Sequence, residues 1–350
     1  MKITTVLSRS LAAIVLLTLS MNATIAETIL RYTDHEPYGN MRTQAIQNLF
    51  FAAIEKESQG RIRIEPHWNG ELSTSYNALQ TLREGEKADI GIVVPEYTPE
   101  QLPLFQIFKS FPLGPDNGEK QAAFFQRILT EMPEFNAELA KNNLVNLQFF
   151  LGYPAAFFNT TPNMTLDHLN GTTWRTASFW HQAYLENAGG KVVKMPWNEQ
   201  ITQALKNGTL NGLLVNLDSG NDIHAQQPAK YIQLSPQLWM GHIYLLTMNK
   251  SRWDSLSTDD KAAIQRAAAQ TEQQIGPLLD THLLEMTSAM SQQGAHITWL
   301  SPADLHAWQQ ASRYQQEQKK WVSEQEAKGI HDSGRILSAI ATRLDDAMRK

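Results

Sequence analysis

Residues 171–215 read Gly-Thr-Thr-Trp-Arg-Thr-Ala-Ser-Phe-Trp-His-Gln-Ala-Tyr-Leu-Glu-Asn-Ala-Gly-Gly-Lys-Val-Val-Lys-Met-Pro-Trp-Asn-Glu-Gln-Ile-Thr-Gln-Ala-Leu-Lys-Asn-Gly-Thr-Leu-Asn-Gly-Leu-Leu-Val. A short strand at 171–176 gives way to a helix at 180–187, which Gly189-Gly190 closes. A second strand follows at 191–194, then a helix at 199–206 stopped by Gly208, then a strand at 210–215. Glycine suits a helix end because the closing residue adopts a left-handed conformation that a Cβ penalises. Strand–helix–strand repetition at this spacing predicts an α/β unit built on a largely parallel sheet.

The flanking sequence extends the pattern. Residues 28–33 and 61–67 alternate apolar and polar side chains, as half-buried strands do. The run 88–94, Ala-Asp-Ile-Gly-Ile-Val-Val, is mostly apolar, as a strand covered on both faces should be. Helical patterns lie between them at 41–58, before Gly60, and at 75–83, before Gly85. Further strands are predicted at 144–151 and 243–249. From Ser257 the character changes to long helices. Ser257 is a good N-cap with Asp259 and Asp260 in the first turn of a stretch reaching Gln293. Pro277 is predicted to kink or split that stretch. Helices at 301–320, opened by Ser301-Pro302, and at 333–349 complete the chain. There is no internal repeat and no low-complexity linker. Two α/β halves joined by structured crossings, followed by a helical layer, are therefore expected.

The beginning of the chain points to export. Lys2 and Arg9 precede the apolar run 11–19, and Ala23-Thr24-Ile25-Ala26 is a small-residue cleavage site. This is the pattern of a secretory signal peptide, residues 1–26, cut after Ala26. The apolar run falls short of the roughly 20 residues that a spanning helix needs. A soluble mature chain in the periplasm, without direct membrane insertion, is the expectation. Two of the 30 basic residues and none of the 35 acidic ones lie within 1–26, so the remainder carries 28 basic and 35 acidic residues. That acidic balance argues against nucleic acid or an anionic membrane as partner, while leaving room for a locally positive pocket. Cysteine is absent, which excludes Cys nucleophiles, Cys-bound zinc and iron–sulfur chemistry.

Motifs of catalysis are missing. The ten histidines include no pair at helical i, i+4 spacing and no His-Glu-x-x-His, so no metal site is expected and the histidines read as surface or capping residues. There is no Gly-x-Ser-x-Gly elbow, no Gly-x-Gly-x-x-Gly and no phosphate-binding loop. No cofactor is implied. A catalytic group assembled only in space stays open at this level.

One constellation points to a ligand. Trp174-Arg175-Thr176 ends a predicted strand, and in open α/β sheets ligands bind beyond the carboxyl ends of strands. An arginine there offers a planar fork of donors to a carboxylate. Fourteen residues later comes Gly189, then Met195-Pro196-Trp197-Asn198-Glu199, a helix, and Asn211-Gly212. Together these resemble the periplasmic binding proteins of tripartite ATP-independent (TRAP) transporters, the DctP family of C4-dicarboxylate-binding proteins. Three further blocks agree in order: Asn69-Gly70-Glu71-Leu72 with Glu84-Gly85-x-x-Ala88-Asp89-Ile90, the late strand 244–256, and the start from Leu30-Arg31 to Pro37.

The resemblance implies an α/β, two-lobed periplasmic-binding-protein fold with an interlobe cleft, crossing strands and long bridging C-terminal helices. It implies lobe I from residues 27–152 plus about 238–283, and lobe II from 153–237 plus about 284–350. Arg175 would clamp a ligand carboxylate, and closure would present the loaded protein to TRAP integral membrane subunits. Asn216 would either donate its amide to the ligand or cap its loop, with Asp218 close by. Tyr153, Asn69, Phe179, Trp197 and Trp239 join these as candidate ligand-binding residues, with Trp180 and Tyr244 as further cleft aromatics. Many members carry a second arginine before the Asn-Ser/Thr turn, but residues 152–160 here contain no basic side chain. A monocarboxylate, aromatic or sugar acid among them, is the resulting expectation. A sensor subunit serving a membrane receptor, or a secreted enzyme, stands as the alternative.

Overall fold

The computed structural model describes residues 27–195 and 198–349. The signal peptide expected at 1–26 and the candidate Trp197 lie outside the described residues. Among the described residues no helix is long and apolar enough to cross a membrane.

Two sheets form the frame. The first contains β1 (Thr28–Thr33), β2 (Ile62–His67), β3 (Ile90–Val93), β4 (Leu144–Leu151) and β10 (Ile243–Asn249), in the order β2-β1-β3-β10-β4. The second contains β5 (Ala155–Asn159), β6 (Thr173–Arg175), β7 (Lys191–Val192), β8 (Gly212–Asn216), β9 (Tyr231–Leu234) and β11 (His296–Trp299), in the order β11-β9-β5-β8-β6-β7. The first sheet is parallel at β1–β2 and β1–β3, but β10 runs antiparallel to both β3 and β4. The second is parallel at β11–β9, β6–β7 and β6–β8, with β5 antiparallel to β8 and β9. Each sheet is thus mixed rather than simply parallel, and the reversed strand in each is one that arrives from the other sheet.

The crossings explain this reversal. β4 leaves the first sheet at Leu151 and becomes β5 four residues later, while β9 leaves the second sheet and returns as β10. The two connections run side by side. Gly152 N donates to His242 O at 3.1 Å, and Ala155 N donates to Leu238 O at 2.9 Å. They approach so closely that a Cβ on Gly152 would lie 2.6 Å from His242 Cβ. Gly241, at φ +57°, has no room for a side chain against the Phe108 carbonyl.

The strands β5, β9 and β11 are absent from the sequence reading. β5, Ala-Ala-Phe-Phe-Asn, is buried along its length, so neither face alternates with solvent. β9 and β11 are four-residue strands, too short for periodicity to register. The helices Gly118–Glu131 and Pro133–Lys141 are likewise new. The long helix is one element from Thr258 to Gln292, with Pro277 inside it, so the predicted split does not occur. Gly276 and Gly118 bring the backbones of two helices together so tightly that a Cβ on Gly118 would meet Gly276 O at 2.3 Å. Ser257 caps the helix through Asp260 N, and Ser301 forms a full capping box with Asp304. The last helix, Ser333–Arg349, lies against Gly118–Glu131, tied to it by Arg343–Glu131 at 3.0 Å and to the helix Pro133–Lys141 by Arg335–Glu134 at 2.6 Å.

The Gly118–Gly276 contact yields a stability prediction with an unusual sign. Alanine in place of glycine inside a helix normally stabilises by about 1 kcal/mol. In Gly276→Ala the new Cβ would sit 2.6 Å from the Glu119 backbone, so the substitution should destabilise instead. Overpacking of this kind costs roughly 1–3 kcal/mol. Scanning calorimetry should show a melting temperature a few degrees lower; an unchanged or raised value would contradict the close-packed interface.

Candidate functional site

The crossing ribbon opens onto a cavity of about 210 Å³ between the two sheets. Glu36, Asn40 and Arg42, from the segment after β1, and Tyr244 of β10 line it on one side. Tyr153 on the crossing and Asp218, Asn221 and Asp222 after β8 line the other. His282 and Met286 of the long helix close the floor. The segments that follow β1 and β8 contribute because both lie beyond the carboxyl ends of their strands.

Both terminal nitrogens of Arg42 are engaged in this wall, while its buried Nε has no hydrogen-bond partner. Its terminal nitrogens meet Asp34 at 2.6 and 3.0 Å and Glu36 at 2.8 Å, and its guanidinium lies 4.4 Å over the Tyr244 ring. Burial would raise Asp34, but the Arg42 charge and hydrogen bonds hold it below the usual carboxylate range. The Asn69-Gly70 turn supports the same segment from behind. Asn69 N donates to Glu36 O at 2.8 Å and Gly70 N to Asp34 O at 2.9 Å, with Asn69 itself at φ +57°. Asn69 is thus placed beneath the site by its backbone, with an exposed side chain.

Arg175 ends β6 and is buried. Its Nε and Nη2 donate to Met195 O at 3.2 and 3.1 Å, which fixes the plane of the guanidinium. Burial lowers its pKa, opposed by Tyr97, Glu96 and Tyr76 within electrostatic reach. Tyr97 and Tyr76 pack ring to ring at 4.7 Å, at the carboxyl end of β3 and before the helix Ala78–Glu84. Tyr97 also lies within electrostatic reach of Glu36, although neither Tyr97 nor Arg175 is among the residues that line the cavity.

The other candidates separate by position. Asn216 is buried and its amide donates to Tyr153 O at 2.5 Å, so in this conformation it braces the crossing. Asp218 and Tyr153 line the cavity. Phe179 begins the helix Phe179–Asn187, is half exposed and packs on Trp180. Trp239 belongs to the core. It stacks on Phe125 at 5.8 Å, meets Phe124 edge-on, and donates its indole N–H to Phe108 O at 2.6 Å. Trp180 is buried too, donating to Gln106 O at 2.9 Å. Large rings with a satisfied N–H and apolar neighbours are what a core recruits.

A buried polar cluster next to the crossing is missing from the sequence reading. Lys109 Nζ lies 2.5 Å from Glu96 Oε2, 3.4 Å from Met240 O and 3.3 Å from His242 Nδ1. Burial alone would raise Glu96, but the Lys109 ammonium brings it down to about 2. Burial, reinforced by Lys109, lowers His242 and His181 to about 3. These two histidines are therefore enclosed and neutral, unlike the surface or capping role expected of them. A lysine inside the apolar run Leu104–Ser110 was the available signal, since a buried ammonium requires a partner. Among the described residues no group of three or more His, Asp or Glu is placed to hold a metal ion.

Comparison with known proteins places this arrangement. Residues 34–320 match the DctP family model, bacterial extracellular solute-binding protein family 7. A solute-binding protein of Chromohalobacter salexigens is 26% identical over 264 residues, covering 72% of this chain and 74% of its own. A TRAP periplasmic solute-binding protein from Desulfovibrio salexigens superposes with a TM-score of 0.77 at 22% identity, over 91% of this chain and 96% of that one. A marine metagenome TRAP protein specific for aromatic acids gives 0.78 at 20% identity, over 92% and 99%. A Bordetella pertussis receptor that binds pyroglutamic acid gives 0.73 at 20% identity, over 92% and 100%. The chain belongs to the DctP family of solute-binding proteins; it is a binding protein, not an enzyme. The two-lobed α/β fold with crossing strands and long C-terminal helices is the one those structures share.

The buried cluster makes its own prediction. Removing one partner of a buried ion pair strands the other, at a cost of about 3–5 kcal/mol. Lys109→Met should therefore lower denaturant stability by that amount, and Lys109→Met with Glu96→Leu should recover most of it. The Glu96 contribution is present above the ordinary carboxylate value of 4.5 and is lost as pH falls toward 2. The double variant should lose that part of the acid dependence. A single variant as stable as the parent would show that the pair does not hold the crossing.

Proposed function

We propose that the chain captures a small organic acid between its lobes and delivers it to TRAP integral membrane subunits, with Arg175 clamping the carboxylate. The supporting observation is the placement of Arg175 at the carboxyl end of β6, its guanidinium oriented by Met195 O, facing the environment of Tyr97 and Tyr76. A guanidinium held in plane by a carbonyl presents the fork geometry that a carboxylate accepts. Extracytoplasmic solute binding follows from the family, and several solved relatives bind acids: pyroglutamate, aromatic acids and uronates.

The ligand class is read as monocarboxylic. Residues 152–160 carry no basic side chain, and the arginine on the cavity wall, Arg42, already meets Asp34 and Glu36. A second ligand carboxylate placed there would confront Glu36, Asp218 and Asp222. An aromatic or sugar body would rest on the tyrosines of the cleft, Tyr97, Tyr153 and Tyr244. The lobes follow the sheets, with residues 27–152 and about 238–283 in one and 153–237 and about 284–350 in the other. Ser333–Arg349 docks back across onto the first.

Arg175→Ala should weaken acid binding at least a hundredfold in calorimetry while leaving the melting temperature of the empty protein within a few degrees. Undiminished affinity would remove the carboxylate clamp. In a thermal-shift panel, 3-hydroxybenzoate, pyroglutamate and D-glucuronate should stabilise more than succinate or malate, because ligand bound only to the folded state raises its stability by mass action. Preference for the dicarboxylates would overturn the monocarboxylate assignment.

A further inference from the structure

Lys109 and Glu96 form an ion pair where apolar side chains would serve the core as well. Leu104, Phe105, Ile107 and Phe108 precede Lys109 in its own segment, all of them buried. A buried pair is rarely better for stability than apolar residues of similar volume, so its presence calls for another reason.

The position of the pair supplies one. Glu96 lies in the turn Pro95–Tyr97, just beyond the carboxyl end of β3. Gln106 ties that turn to the segment Leu104–Ser110, its amide donating to Pro95 O at 2.8 Å. The indole of Trp180, a few residues after Arg175, donates in turn to Gln106 O at 2.9 Å. The neighbouring His181 has its Nε2 3.3 Å from Trp239 O. These contacts bring the Glu96 turn to the stretch 175–181, and Glu96 is within electrostatic reach of both His181 and Arg175.

Few charged or titratable groups face Glu96. Lys109 meets it at 2.5 Å from Leu104–Ser110, His242 at 3.5 Å from the returning passage, and His181 faces it from Phe179–Asn187. Tyr97 and Arg175 complete the set, with Glu36 beyond Tyr97 and with Arg42 and His35 beyond His242. Burial keeps both His181 and His242 neutral and Tyr97 protonated. Among the described residues, Lys109 is therefore the charged cation in contact with the Glu96 carboxylate. With Lys109 in place the pair is neutral as a whole. Without it, Glu96 would set a negative charge close to Arg175 in a buried setting that screens charges poorly.

We infer that Lys109 is a positioning residue for acid binding: by neutralising Glu96 it keeps that carboxylate from opposing the cargo carboxylate at Arg175. This rests on the Arg175 clamp and adds the group that sets the charge around it. A pH signature follows. Lys109 holds Glu96 at about 2, so Glu96 stays ionised and paired throughout the neutral range. Once Lys109 is removed, burial acts unopposed and raises Glu96, which is then neutral at low pH and ionised at high pH. The ratio of variant to parent affinity should fall as pH rises. Asp218 and Asp222, raised by burial to about 7 and about 6, titrate in both proteins and cancel in that ratio.

Calorimetry with 3-hydroxybenzoate, pyroglutamate and D-glucuronate, from about pH 5.5 to about pH 8, tests this. For each acid that the parent binds, Lys109→Met should weaken binding tenfold or more at the upper end and less at the lower. Lys109→Met with Glu96→Gln should return to within threefold of the parent and regain its pH profile. Glu96→Gln alone should bind at least as tightly as the parent, since it removes a negative charge and keeps the positive one. A merely structural pair predicts weakening there too, because either single change strands a buried partner. Should Lys109→Met fold too poorly to measure, Glu96→Gln set against the double variant isolates the lysine charge, which should tighten binding threefold or more. Unchanged affinity in Lys109→Met, a ratio flat with pH, weakened binding in Glu96→Gln, or equality in the last comparison would overturn the inference. The clamp and the pair fail differently. If Arg175→Ala loses the acids and Lys109→Met keeps them, only the role of Lys109 is wrong. If Arg175→Ala keeps them and Lys109→Met loses them, the clamp is wrong and Lys109 still governs the acid. Failure of the parent to bind any of the three acids would overturn both.

Discussion

A two-stranded crossing holds this molecule together. The chain passes from the first sheet to the second between Leu151 and Ala155 and back between Leu234 and Ile243, and the two passages are hydrogen-bonded to each other. Strands that continue through a domain boundary cannot swing freely, so relative motion of the lobes has to be absorbed in a few residues of the crossing itself. Gly152 and Gly241 occupy that stretch because a side chain at either would strike the neighbouring passage or the Phe108 carbonyl. The reversed direction of β5 and β10 in their sheets is the direct result.

The crossing is also where polar groups are buried. Lys109 reaches the Met240 carbonyl, His242 and Glu96 at once, and Asn216 reaches the Tyr153 carbonyl. Each of these contacts ties a lobe to the passage that leaves it. A low-dielectric setting makes such hydrogen bonds strong when complete and costly when broken, which favours a small number of well-defined arrangements over a continuum. The residues that line the cavity stand on the same supports. Tyr153 is in the first passage, Tyr244 begins just after the second, and Asp218 follows Asn216 by two residues.

The electrostatics of the cleft are divided. On the β6 side stands the buried Arg175, within electrostatic reach of Tyr97 and Tyr76; on the β8 side Asp218 and Asp222 border the cavity that Glu36 also lines. Arg42 does not bridge the division, because Asp34 and Glu36 already hold it.

Much of this was legible along the chain. The strand–helix alternation of 171–215 and the glycines that end its helices specify an α/β unit locally, because helix and strand periods and caps depend on near neighbours. The position of Arg175 at the end of a strand was legible, and the structure places it at the end of β6. The sequence could not separate Trp239, a core ring on Phe125, from a cleft aromatic, because both are large and apolar. Nor could it show that Pro277 lies within an unbroken helix, or that the neighbouring Gly276 meets Gly118, 158 positions away. The Lys109–Glu96–His242 cluster and the Asp218–Asp222–Glu36 wall were invisible for the same reason. Local order is encoded by neighbours in sequence, whereas charge burial and cavity chemistry are set by which distant segments the crossing strands bring together.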